Sequence, residues 1–138
     1  HMARIILHLH GKPSDKRFAS LIDDYSQRLK SKVKIEVHNS KLSTEQYVSK
    51  LPEGSILLDE GGELYDSIQF SERFKQWQLF AKDVNLAIGP ADGFPRGLQN
   101  QKISLSTLTF PHEFAAAILV EQLYRASEIM KGTSYHRV

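Results

Sequence analysis

Across its 138 residues the chain has no cysteine. That excludes a disulfide framework, a thiolate nucleophile and a cysteine-based metal centre, and it suits a reducing, cytoplasmic setting. Long apolar runs are missing too: none approaches the roughly 20 residues that a spanning helix needs. No charged start leads into an apolar stretch with a small-residue cleavage site, so neither a membrane protein nor an exported one is expected. Internal repeats, low-complexity segments and linkers are absent. A single domain over residues 2–138 is therefore expected, with His1 ahead of Met2 read as a cloning remnant. Two phosphate-binding patterns, G-x-G-x-x-G and G-x-x-x-x-G-K-[ST], do not occur, which argues against a Rossmann dehydrogenase or a P-loop NTPase. His8 and His10 share one face of a strand. With no cysteine and no evident third ligand beside them, no metal site is expected there.

What remains is an ordinary globular composition, 41% hydrophobic and 25% charged, with a net charge of +2. The total hides an asymmetry. Residues 1–50 carry ten Lys or Arg against five Asp or Glu, and residues 51–138 carry eight against eleven. Much of the excess lies in Arg28, Lys30, Lys32, Lys34 and Lys41. Contact with a phosphate backbone and a plain solvated helix end are both open readings of this cluster.

Periodicity then divides the chain. Arg4–Leu9 is a short β-rich run closed by Gly11 and Pro13. Phe18, Leu21, Ile22, Tyr25 and Leu29 recur at helical spacing behind Ser14 and Asp15, and Val33, Ile35 and Val37 alternate as in a strand. A weaker helix covers residues 43–51 before Pro52, and residues 55–59 form a compact apolar strand running into Glu60-Gly61-Gly62. Asp66 and Gln69 make a capping box for a helix whose inner face is Phe70, Phe74, Trp77 and Ala81. Strands over residues 84–89 and around 103–105 follow, then a long helix from about Pro111 to Lys131, closed by Gly132. Alternating strands and helices predict an α/β layer with a mostly parallel sheet and helices on both faces. Ligands in such sheets bind outside the carboxyl ends of the strands, so the exits after Asp59, Gly89 and Leu105 are where a site is expected.

Three stretches carry candidate chemistry. In residues 87–94, AIGPADGF, glycines allow close backbone approach to a ligand, and Asp92 is either a base or a turn cap. In residues 105–114, LSTLTFPHEF, hydroxyls alternate with Leu105, Leu108 and Phe110, a pattern that can wall a flat apolar ligand or simply start a helix. The final segment, Ser134–Val138, sets a tyrosine, a histidine and an arginine in a row. Histidine exchanges protons near neutrality and arginine clasps phosphate, so this composition weighs against a merely frayed end.

Taken in order, LLDEGGELYDS, IGPADGF, ISLSTLTFPH, VEQLYRA and the closing SYHR resemble the ribosomal large subunit methyltransferase H (RlmH) family of SPOUT methyltransferases. The resemblance is strongest over residues 55–138. It implies a parallel α/β sheet with a deep trefoil knot in its carboxyl-terminal part, a feature sequence rules alone never propose. It also implies a homodimer that uses S-adenosyl-L-methionine to methylate N3 of a pseudouridine in 23S ribosomal RNA. On that resemblance the cofactor pocket comprises Leu58, Gly89, Leu105, Ser106, Thr107, Leu108, Thr109 and Phe110, and the catalytic candidates are Asp92, His136 and Arg137. Where the family shows two glycines, a proline and an acid, this chain has Gly89-Pro90-Ala91-Asp92-Gly93, which removes one N–H and shortens the acid by a methylene. The tail of one protomer is expected beside its partner's pocket. Two rivals are weighed against this: a knotted ribosome-binding factor that binds RNA without methylating it, and a flavodoxin-like nucleotide-binding module competent as a monomer.

Overall fold

The computed structural model describes residues 3–137; the ends of the expected domain, Met2 and Val138, lie outside the described residues. Among the described residues, five strands and four helices follow in the order β1 (Ile5–His10), α1 (Lys16–Leu29), β2 (Val33–His38), α2 (Thr44–Lys50), β3 (Ile56–Leu64), α3 (Ser67–Gln78), β4 (Val84–Ile88), β5 (Lys102–Ser104) and α4 (His112–Lys131), with a short 3-10 turn at Lys30–Lys32 and no helix between β4 and β5. Every strand pair is parallel, and the order across the sheet is β2-β1-β4-β3-β5.

That order explains which face each helix covers. The steps from β1 to β2 and from β3 to β4 both move one place in the same direction, so right-handed crossovers carry α1 and α3 over the same face. The step from β2 to β3 runs the other way and carries α2 to the opposite face. Side-chain alternation agrees. Ile5, Leu7 and Leu9 of β1 and Val84, Leu86 and Ile88 of β4 point into one core with Ile22 and Leu29 of α1, Phe70, Phe74 and Trp77 of α3, and Leu119, Val120 and Leu123 of α4. Burying such a set is the dominant stabilising term, at roughly 25 cal/mol per Å² of apolar surface. Ala81, expected on the α3 face, falls beyond the helix and is exposed.

On the other face, His8, His10 and Asn85 alternate out of the same strands and are covered by α2 through Tyr47, which is fully buried. The Tyr47 ring stacks on His10 at 4.8 Å, and its hydroxyl donates to the Ile88 carbonyl at 2.7 Å. Helix ends follow the expected chemistry. Ser43 with Gln46 and Asp66 with Gln69 form capping boxes, and Gly132 adopts φ 74° to close α4.

Candidate functional site

The strand expected over residues 55–59 does not end at Asp59 but runs to Leu64, because it pairs with β5 again at Glu63 and Leu64; its pairing with β4 stops at Leu58, and there, beside the exits of β4 and β5, a cavity of ≈ 260 Å³ forms. Its walls come from Leu58–Glu60, Ile88–Phe94, and Ser104 to Phe110 without Thr107, with His112 and Ala115 of α4 closing one side. The three loops singled out from sequence therefore meet. Leu58, Gly89, Leu105, Ser106, Leu108, Thr109, Phe110 and Asp92 all line the cavity, whereas Thr107 does not.

Local geometry shapes each wall. In the pairing of β3 with β5, Leu58 and Glu63 both oppose Ile103, so Asp59-Glu60-Gly61-Gly62 arches out of the ladder. The arch holds itself through the Gly61 N–H, which donates to Asp59 Oδ2 at 3.0 Å. Its tip is tied to the third loop, where the Thr109 hydroxyl donates to Glu60 Oε2. Gly62 is required by contact: a Cβ there would lie 2.6 Å from the Lys102 carbonyl carbon and the Ile103 nitrogen. The β4 exit turns at Pro90-Ala91-Asp92-Gly93, where the Gly93 N–H donates to the Pro90 carbonyl at 2.8 Å and Gly93 adopts φ 80°. Pro90 is buried in the wall and Asp92 is exposed at its lip. Gly89 lets the Phe94 ring come close, since a Cβ would stand 3.2 Å from it.

Chemically the cavity is apolar within and acidic at the rim. Leu58, Ile88, Leu105, Phe110 and Ala115 suit a flat heterocycle, and Asp59, Glu60 and Asp92 favour a cationic group or a diol beside it. Asp59, Glu60 and Phe94 lie in the stretches singled out from sequence but carried no site role there. Their signal was position alone, at the ends of apolar runs. Glu113, in the first turn of α4, ties two helices together. In the structure its carboxylate accepts from the Ser14 hydroxyl at 2.7 Å and from the Ser14 and Asp15 N–H groups at 3.1 Å, clipping the start of α4 to the start of α1. The Ser14 hydroxyl above all, with the two N–H groups, holds this carboxyl below its usual range against the opposing effect of burial.

The tail lies elsewhere. The Tyr135 hydroxyl donates to Glu121 Oε2 at 2.8 Å, its ring meets Tyr124 edge-on at 4.8 Å, and the Arg125 guanidinium sits 5.0 Å over it. Arg125 also donates to His136 Nδ1 at 3.0 Å and to Glu121 Oε2 at 2.9 Å. Burial, then hydrogen bonds with Tyr25 and Glu121, push the Tyr135 phenol well above its ordinary range. Thirteen residues of α4 separate His112 from Arg125, about 20 Å at 1.5 Å per residue. His136 and Arg137 are thus remote from the cavity of this chain. Beside them stands part of the basic cluster: Arg28 lies over the rings of Tyr25 and Tyr124, and Lys32 Nζ reaches Ser127 Oγ at 3.5 Å. Lys30 and Lys34 flank the start of β2, at the sheet edge opposite the cavity.

Comparison with known proteins gives a consistent result. A family model described as a predicted SPOUT methyltransferase matches residues 3–136. The chain is similar to the ribosomal RNA large subunit methyltransferase H of Protochlamydia amoebophila strain UWE25, 37% identical over 131 residues, covering 92% of this chain and 94% of that one. The protein of that name from Synechococcus sp. strain CC9311 is 37% identical over 123 residues, 84% of each chain. The one from Malacoplasma penetrans strain HF-2 is 30% identical over 149 residues, covering 92% of this chain and 95% of that one.

Proposed function

The chain belongs to the SPOUT methyltransferase family, and from that premise we propose that it is a ribosomal RNA methyltransferase. It uses S-adenosyl-L-methionine to methylate N3 of a pseudouridine in 23S ribosomal RNA, in the cytoplasm. In this reading residues 2–138 form one domain, knotted through its β4 and β5 exits and working as a homodimer. The observation that carries the reading is the convergence of the β3 arch and the exits of β4 and β5 on one apolar, acid-rimmed cavity.

The residues present fit the cofactor. Leu58, Ile88, Leu105 and Phe110 would hold the adenine, and Asp59, Glu60 and Asp92 suit the ribose diol and the positive charge. When bound, S-adenosyl-L-methionine supplies a methyl carbon on a cationic sulfur, open to in-line attack by a nitrogen lone pair. The protein then has to orient that nitrogen, exclude water and accept its proton. His136 is disfavoured as the acceptor: Arg125 is always a donor, so Nδ1 must accept and the ring carries its proton on Nε2. Asp92, exposed at the rim, is the better candidate base, with His136 and Arg137 holding RNA.

Since the tail and its neighbouring cations lie about 20 Å along α4 from their own cavity, they suit a site completed on the partner protomer. Tyr135 then stacks on a base while Arg137 and Arg28 meet phosphate. Deleting residues 135–138 should abolish methylation, read by mass spectrometry of ribosomal RNA from a strain lacking the native protein. Calorimetric binding of S-adenosyl-L-methionine should stay within a few fold. Full methylation by the truncated chain would refute the role of the tail. Absence of cofactor binding in the intact chain would refute the enzyme reading and favour a binding-only factor.

A further inference from the structure

On the sheet face opposite the main core, the parallel register of β1 and β2 pairs His8 with Glu36 and His10 with His38. This supplies what the linear sequence did not show, a second and a third donor beside His8. His8 is 1% exposed, and both of its ring nitrogens are engaged. Nε2 donates to Asn85 Oδ1 at 2.9 Å, which leaves the lone pair of the neutral ring on Nδ1. That lone pair faces His38 Nε2 at 2.9 Å and Glu36 Oε2 at 3.3 Å. The three donor atoms all lie within 4.8 Å of one another. We propose that His8, Glu36 and His38 form a divalent-metal site for Zn²⁺, with the fourth position open to water.

The geometry is close to what the ion requires. Zn–N distances of about 2.0–2.1 Å in a tetrahedron set neighbouring ligand atoms about 3.3 Å apart. The His8–Glu36 separation already matches, and the two histidine nitrogens need to open by only about 0.4 Å from their 2.9 Å contact. Glu36, with its side chain 46% exposed, can swing to close the third edge of the set. Asn85 does for His8 what an outer ligand does in metal sites generally: it fixes the tautomer and the ring plane so that Nδ1 points at the ion. Two imidazoles and one carboxylate are a donor set that zinc accepts. The consequence is mechanical. β2 is an edge strand, and an ion held by His8 from β1 and by Glu36 and His38 from β2 staples it to the sheet. From His38 the contact chain runs to the Tyr47 ring at 5.2 Å and on to Phe94 at 6.4 Å, in the wall of the cavity.

The test is a titration of the full, metal-stripped chain with Co²⁺, followed by Zn²⁺ in competition with a chromophoric chelator. One equivalent of Co²⁺ should give the intense visible bands of a tetrahedral site, and Zn²⁺ should displace it and raise the melting temperature. His38→Ala should weaken Zn²⁺ binding at least about 100-fold, and Asn85→Ala, outside the ligand set, by about 10–100-fold. His8 is too buried for a clean variant, so Glu36→Gln is the second ligand test, with far-ultraviolet circular dichroism checking that each variant folds. No bands at one equivalent, or stoichiometric binding that survives in folded His38→Ala and Glu36→Gln, overturns the proposal.

Discussion

Gly62→Ala tests whether the arch in β3 sets the shape of the site. A methyl group at this position would lie 2.6 Å from the Lys102 carbonyl carbon and the Ile103 nitrogen, where ordinary contact begins at 3.4 Å. Both atoms are backbone, so no rotamer change relieves the clash and β5 must retreat by about 0.8 Å, the difference between those distances. Overpacking of this kind costs about 2–3 kcal/mol, and the lost freedom of the unfolded chain returns about 0.4–1 kcal/mol. A net loss of about 1–2.6 kcal/mol should lower the melting temperature by about 3–9 °C for a chain of this size. Because β5 runs directly into Leu105–Phe110, the same retreat displaces a cavity wall, and misplacement approaching 1 Å is enough for a loss of about 100-fold in activity. Gly61→Ala is the matched control. Its methyl would meet only the flexible Asp59 carboxylate at 3.1 Å, so stability should stay within about 0.5 kcal/mol. Differential scanning fluorimetry and calorimetry with S-adenosyl-L-methionine read both effects. Equal melting temperatures and equal affinities in the two variants would show that the arch does not control the wall.

Two further perturbations follow from single contacts. Tyr47→Phe removes the donor to the Ile88 carbonyl and leaves that buried oxygen short of a partner, which should cost about 1–3 kcal/mol in chemical denaturation with the fold retained; a loss below 0.3 kcal/mol would mean that water replaces the hydroxyl. Glu113 is a depressed carboxyl, so its contribution is present above its unfolded pKa of about 4.3 and fades as pH falls through the lower folded value. The gap in melting temperature between wild type and Glu113→Gln should therefore be widest near pH 7 and shrink below about pH 4; a gap independent of pH would assign the clip to packing.

The elements were legible where chemistry is local. Helix starts at Asp15, Ser43 and Asp66, the left-handed stop at Gly132, and the alternation that marks β1 and β2 all depend on residues within a few positions of one another. The meeting of the β4 and β5 exits was legible for a different reason: a parallel sheet puts every carboxyl end on one edge, so the topology class assigns both loops to one place, and the third segment joins them as an arch within β3 rather than as its exit. What stayed hidden depends on register. That Leu58 and Glu63 share Ile103, that Glu36 and His38 stand beside His8, and that Glu113 reaches back 99 residues to Ser14 are facts about which strand or helix lies next to which, and at what offset. Residue type does not encode that offset. It is fixed when burial selects one alignment of alternating faces, because a slip of one residue would turn His8 into the apolar core and Leu7 out of it. The buried hydrogen bond from His8 to Asn85 penalises that slip further, so the polar face and the apolar face of β1 specify the same register independently.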